Sequence, residues 1–137
     1  MIGFAVQHSP PAPAFLLEAV RYAMDEAGSV SGAFASSPCA FVHLEGAART
    51  LADEHRPEGT ADGEWVMVTV RRSPEVGHQA HLRERCRTAA QRFVLTLACE
   101  DVESVWVEVA LDAEALGSAG VDMGTCEPVG LVWCHAG

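Results

Sequence analysis

Residues 89–109, AAQRFVLTLACEDVESVWVEV, decide the fold of this chain. The segment begins as an apolar helix, is interrupted by Glu100, Asp101 and Glu103, and ends as a strand rich in β-branched residues. The helical half offers no evident solvent face, which predicts that it is buried on more than one side. In a chain of 137 residues, such a helix forms the core or a subunit interface.

The length and the composition predict a single domain, 1–137, with a proline-rich lead-in over 1–13. No apolar run approaches the roughly 18 to 20 residues that a membrane span requires. The N-terminus lacks the basic region and the uninterrupted apolar core of a signal peptide. We therefore expect a cytoplasmic protein that does not use a membrane as a partner.

The net charge of -10 comes from 19 acidic residues and nine basic residues, all of which are arginine. Nucleic acids and anionic membranes both favour a basic surface, so this charge argues against both as partners. Acidity of this kind favours solubility and does not identify a chemistry.

Four arginines lie along the central helix, at positions 83, 85, 87 and 92. Arg83 and Arg87 share a helix face, and guanidinium groups bind phosphate and carboxylate well. One interpretation is therefore an anion site. The simpler interpretation is a solvated face on which Glu84 balances the charge.

The five cysteines are an odd number without CxxC spacing, which favours buried, reduced thiols over a disulfide framework. They are Cys39, Cys86, Cys99, Cys126 and Cys134. A metal site is the alternative, with His78, His81 and Cys86 as the nearest set of ligands. A fourth ligand is not evident, so a polar helix entry explains the two histidines more simply.

Apolar periodicity, prolines and glycines divide the chain into alternating helices and strands. Helices are predicted at 14–28, 45–55 and 78–99, with a short helix that Asp112 caps, and strands at 3–7, 39–44, 64–71, 104–110 and 128–134. Gly28 is expected to end the first helix. The small residues at 29–38 predict a loop that either connects two elements or lets backbone approach a ligand. His43 is interpreted as structural, because no acidic partner stands at a fixed spacing.

This alternation is typical of a parallel α/β sheet. However, no strand is followed by a glycine-rich phosphate loop, and the sequence contains neither a GxSxG elbow nor an HExxH pair. The pattern alone therefore predicts a three-layer α/β domain and no specific reaction.

The C-terminal half resembles the core of FMN-dependent nitroreductase-like proteins. The matching pieces are AAQ at 89–91, SVWV at 104–107, AL at 115–116, GV at 120–121 and EPVGL at 127–131. The N-terminal part is similar too: the helix at 16–27 stands for the helix before the flavin loop, and Pro38, Phe41 and Val42 stand for the proline and strand after it. The resemblance covers most of the chain.

The resemblance implies an α+β fold and replaces the parallel expectation. The family core is a three-layer α/β/α arrangement of two α-β-α-β units around an antiparallel four-stranded sheet. It also implies FMN as the cofactor, with Ser29, Ser37 and Pro38 as cofactor-binding residues. The implied partner is a second copy of the chain, held through helix 87–99, whose surface around Phe93 and Leu97 would be the dimer interface as well as the core.

The sequence departs from the family at the phosphate contact. The family's arginine-serine-x-arginine segment has no counterpart, because the first arginine is Arg21 within a helix. The first hypothesis is therefore an oxidoreductase of unidentified substrate in which an arginine between 83 and 92 replaces that contact. The second is a flavin-free dimer that acts as a binding or scaffold protein, and the third is a metal-dependent enzyme that uses His78 and His81. No catalytic residue is assigned under any of the three.

Overall fold

In the part of the chain that the structure describes, four helices and four strands alternate in the predicted order. A computed structural model describes residues 14–31, 38–60, 63–75 and 77–136, so the predicted strand at 3–7 and the lead-in at 1–13 lie outside the described residues. The elements are α1 Ala14–Ser31, β1 Cys39–Leu44, α2 Gly46–Asp53, β2 Glu64–Arg71, α3 His78–Cys99, β3 Val102–Val107, α4 Ala113–Ser118 and β4 Cys126–Ala136. Within these ranges, no helix combines the length and the apolar character needed to cross a membrane.

The strands form one antiparallel sheet in the order β1-β2-β4-β3. The antiparallel arrangement implied by the family resemblance is therefore confirmed, and the parallel sheet suggested by simple alternation is wrong. The register between β2 and β4 shifts at Val68/Thr69, where Pro128 stands opposite Thr69. Proline has no backbone N–H to give to a ladder, so it is accommodated at such an irregularity.

Each face of the sheet carries its own apolar layer, as a three-layer α/β/α fold requires. Val66, Val68 and Val70 of β2 pack with α1 and α3, whereas Trp65 and Met67 pack with α2 and α4. Successive side chains of a strand point to opposite faces, so one strand supplies both layers. All five side chains are completely buried.

Several predicted boundaries move for identifiable reasons. α1 continues past Gly28 to Ser31, because its packing against α3 offsets the roughly 1 kcal/mol that glycine costs within a helix. β3 begins at Val102 and ends at Val107, since pairing starts opposite Ala136 at the end of a longer β4. The predicted ends of β1, β2 and α3 are confirmed. The side chain of Asp112 accepts a hydrogen bond from the backbone N–H of Ala115, as the predicted cap requires.

α3 buries only one of its faces within the chain, which corrects the view that it has no solvent face. Phe93 and Leu97 are completely buried in the core, so they cannot form the expected dimer surface. Leu95 points the other way and is 64% exposed. Any contact between two copies through this helix therefore uses the face of Leu95.

Cys39 of β1 and Cys86 of α3 form a disulfide, with their Cα atoms 5.4 Å apart. The prediction that all five thiols are reduced is wrong, because residues 47 positions apart in the sequence meet across the core. The other three cysteines are free: Cys99 is exposed, Cys126 is partly buried and Cys134 is buried.

Candidate functional site

Polar side chains gather at one end of the sheet, where β1 and β4 begin and β2 ends. We call this region the polar end. It comprises the side chains of Arg72, Gln79, Arg83 and Glu127, together with Pro38, which contributes its backbone carbonyl. Antiparallel pairing places the start of one strand beside the end of its neighbour, which is why residues far apart in sequence meet here. In the register, Cys39 is opposite Val70, and Val70 is opposite Glu127.

Glu127 is the centre of the polar end. Its Oε1 accepts hydrogen bonds from Nη2 of Arg83 at 2.6 Å and from Nε2 of Gln79 at 3.1 Å. Nε of Arg72 lies 3.8 Å from Oε2 of the same carboxylate. Gln79 also accepts a hydrogen bond from the backbone N–H of Ser73 at 2.6 Å, which fixes its amide.

Pro38 lies beside this cluster. Its carbonyl accepts the backbone N–H of Arg71 at 2.8 Å, and the next residue, Cys39, is bonded to Cys86. Arg83 precedes Cys86 by three positions, about one turn of α3. Pro38 and Arg83 thus each adjoin one end of the Cys39–Cys86 link in sequence, at the end of the sheet where Glu127 lies.

The polar end contains the donors that a phosphate group needs. The Arg72 side chain is 61% exposed, and its 3.8 Å separation from Glu127 is longer than a hydrogen bond. Two guanidinium groups around one carboxylate leave one net positive charge. Arg72 and Arg83 therefore fit a phosphate that shares them with Glu127.

A groove of about 550 Å³ runs between α3 and β3. We call it the α3–β3 groove; it is lined by Arg87, Ala90, Gln91, Val94, Leu95, Trp106 and Glu108. The Trp106 indole lies over Gly130 of β4, where a Cβ would overlap the ring. Most of the lining is apolar, as is typical of a surface that another molecule covers.

The charged groups of this groove balance each other. Nη2 of Arg87 donates to Oε2 of Glu108 at 2.8 Å, and Nη1 donates to Glu84 at 3.2 Å. The hydrogen bond from Arg87, and then the one from Trp106, hold the pKa of Glu108 below its usual value. Because Arg87 is committed to two carboxylates, the structure favours the solvated-face interpretation over an anion site there.

The predicted metal ligands do not converge. The rings of His78 and His81 are 6.0 Å apart at their centroids, and Cys86 is bonded to Cys39. In the described part of the chain, no group of three or more histidines, cysteines and acids is arranged to hold a metal ion. His78, His81 and Cys86 therefore do not form a common set of metal ligands in this structure.

Ser29 lies in the last turn of α1 instead of a loop, because the helix continues to Ser31. Ser37 lies outside the described residues, so its assignment stays a prediction. Pro38 is buried at the entry to β1.

His43 has a partner that sequence reasoning missed. Its Nε2 lies 2.7 Å from Oε1 of Glu64, and Nη1 of Arg49 donates to Oε2 of the same carboxylate at 3.0 Å. His43 is opposite Val66 in the sheet, and Glu64 is two residues from Val66 on the same face. The register of the β1–β2 pair was the missing signal, since sequence spacing alone does not give it.

Comparisons with known proteins identify the architecture. No protein-family model matches the sequence, and no curated protein matches it. Solved structures do: a proposed nitroreductase from Desulfovibrio desulfuricans in complex with FMN gives a TM-score of 0.68 at 14% identity, over 95% of this chain and 78% of that one. A nitroreductase family protein from Streptococcus pneumoniae TIGR4 gives 0.68 at 14% identity, over 96% and 82%.

A nitroreductase family protein from Clostridium difficile 630 gives a TM-score of 0.64 at 14% identity, over 85% of this chain and 70% of that one. The three alignments cover 95%, 96% and 85% of this chain. The chain therefore has the nitroreductase fold.

Proposed function

We propose that this protein is an FMN-dependent oxidoreductase of unidentified substrate that works as a cytoplasmic homodimer. The observation that supports it most is the pairing of both Arg72 and Arg83 with Glu127 at the polar end of a fold shared with an FMN-bound protein. Arg72 and Arg83 would hold the phosphate, and Ser29, Ser37 and Pro38 are the residues proposed to bind the rest of the cofactor. When bound, FMN supplies the redox chemistry, and the chain supplies binding and orientation.

The protein incubated with FMN and then desalted should keep the visible absorption of a flavin. Arg72→Gln and Arg83→Gln should each weaken FMN binding about 10-fold or more, because a hydrogen bond to a charged group is worth about 1.5–3 kcal/mol. Arg92→Gln is the matched control, since Arg92 is exposed on α3 outside the polar end. A protein that stays colourless, or equal affinity in all three variants, contradicts the proposal.

The homodimer would form through the exposed face of helix 87–99. Leu95 is 64% exposed beside the partly buried Val94 and Trp106, so water contacts an apolar strip that a second copy would cover. Leu95→Glu should convert the dimer to a monomer in sedimentation velocity, because a carboxylate in a buried interface has no partner. Phe15→Glu, on an apolar residue of α1 that is 57% exposed, should leave the dimer intact. A monomeric wild-type protein, or a dimer that Leu95→Glu does not change, overturns this interface.

A flavin-free dimer that acts as a binding or scaffold protein is the second candidate. One observation favours it: Arg83 already holds Glu127 at 2.6 Å, and Arg87 holds Glu108 at 2.8 Å. A phosphate must then compete with carboxylates for its donors. A colourless protein that sediments as a dimer would favour this candidate. The ligand of such a protein would be a small molecule other than flavin.

A further inference from the structure

A second pocket lies on the α1 side of the sheet, near the end of β1, where His43 is five residues from Pro38, or roughly 16 Å at the rise of a strand. Its volume is about 250 Å³, and its lining residues are Leu17, Val20, Arg21, Met24, His43 and Glu45. Ligand pockets commonly measure about 300–1,000 Å³, so this one suits a molecule no larger than a substituted ring. Three apolar side chains from α1 form its wall, and charged or polar groups stand at its rim.

The imidazole of His43 is held in place by a network behind this pocket. Glu64 accepts from Arg49 at 3.0 Å and lies 2.7 Å from Nε2 of His43, and the Glu64 side chain is only 9% exposed. Burial raises the pKa of the adjacent Cys134 thiol to about 12, and the negative charge of Glu64 adds to that effect. Only Glu64 is buried in this network: the side chains of His43 and Arg49 are 25% and 35% exposed, so the network reaches the surface beside the pocket.

The network determines which ring nitrogen can meet a ligand. A carboxylate only accepts hydrogen bonds, so Nε2 of His43 carries the proton that Glu64 receives. In the neutral ring, Nδ1 then has a lone pair and acts as a base. This is the arrangement in which a third group orients a base toward its partner.

We propose that this pocket binds a small monocarboxylic acid with an apolar body. The ligand binds as its carboxylate, Nδ1 of His43 takes up one proton from the surrounding water, and no other bond forms or breaks. The carboxylate rests between the imidazolium ring and Arg21, while Leu17, Val20 and Met24 contact the body. The formal charges of Arg49 and Glu64 cancel, and so do those of Arg21 and Glu45. The bound carboxylate and the protonated His43 also cancel, so the net formal charge of the site is the same with and without the ligand.

Benzoate is the probe. Its binding to the full chain is measured by calorimetry and by the NMR signals of the histidine rings. It should bind saturably and shift the ring signals of His43, while benzyl alcohol, which has the ring without the acid, should bind at least 10-fold more weakly. His43→Gln should lower benzoate affinity at least 10-fold, because its amide can still donate to Glu64 but has no basic nitrogen. His81→Gln, an exposed histidine of α3, is the matched control and should bind as the wild type does.

Absence of saturable benzoate binding, or equal affinity in wild type and His43→Gln, overturns the proposal. Equal binding of benzyl alcohol also overturns it, since the pocket would then recognise only the ring. Arg21→Gln, at an exposed position that does not endanger folding, should weaken benzoate binding as well. The visible absorption of bound FMN reports on the polar end, at the opposite end of the sheet from this pocket. The FMN proposal and the benzoate proposal can therefore fail independently.

Discussion

Replacement of Phe93 by alanine should lower the free energy of unfolding by about 3–5 kcal/mol. Phe93 is completely buried between α3 and the sheet, and its ring centroid lies 5.2 Å from that of Phe41. Truncation removes the apolar transfer energy and leaves a cavity that the rigid strand behind it cannot fill. Urea unfolding followed by circular dichroism measures the change.

Arg92→Ala is the control for that experiment, because Arg92 is on the same helix but is exposed and does not line the α3–β3 groove. It should change stability by no more than about 0.5 kcal/mol in the monomer. A Phe93 variant that loses its dimer and keeps full stability would show that the ring lies at a subunit contact instead of in the core. Comparable losses in both variants would show that α3 is buried on both faces.

Reduction of the Cys39–Cys86 bond should lower the free energy of unfolding by about 4 kcal/mol in the chain-entropy model, which depends on the length of the closed loop. The bond links residues 47 positions apart. Breaking the bond gives the unfolded chain many more conformations and the folded chain few, which favours unfolding. Urea titrations of the protein with and without dithiothreitol measure this difference.

Cys99→Ser is the control for the reduction, since Cys99 is an exposed free thiol, and it should leave the oxidised protein unchanged. Equal stability with and without reductant would show that the two sulfur atoms do not form a bond in solution. The result also bears on localisation, because disulfides persist in oxidising compartments and are rare in a reducing cytoplasm. A cytoplasmic protein would spend much of its time as the reduced and less stable form.

The elements that could be predicted were those with strong local signals. β2 shows β-branched alternation that is bounded by turns, and the side chain of Asp112 gives α4 a defined start. The end of α1 could not be read from Gly28, because packing on α3 overrides a glycine's local preference. The pairing of Cys39 with Cys86 was also beyond reach, since sequence alone does not give disulfide connectivity.

The polar end could be predicted only in part. Pro38 and the arginines of α3 were identified from their residue types, but Glu127 was interpreted as part of a strand motif. Its ion pair with Arg83 joins residues 44 positions apart and exists only because β4 begins beside α3. The contact between His43 and Glu64 was missed for the same reason, since it depends on strand register.

The indole of Trp106 gives this protein a natural optical reporter. Trp65 and Trp133 are sealed in the layer between the sheet and α2 and α4, with 0% and 1% exposure, so their emission should not respond to events on the opposite face. Trp106 lies in the α3–β3 groove, and its indole fits over Gly130 because glycine has no side chain there. If a second copy covers the groove as the protein concentration rises, the fluorescence of Trp106 should shift to the blue. No added label is needed to detect this change.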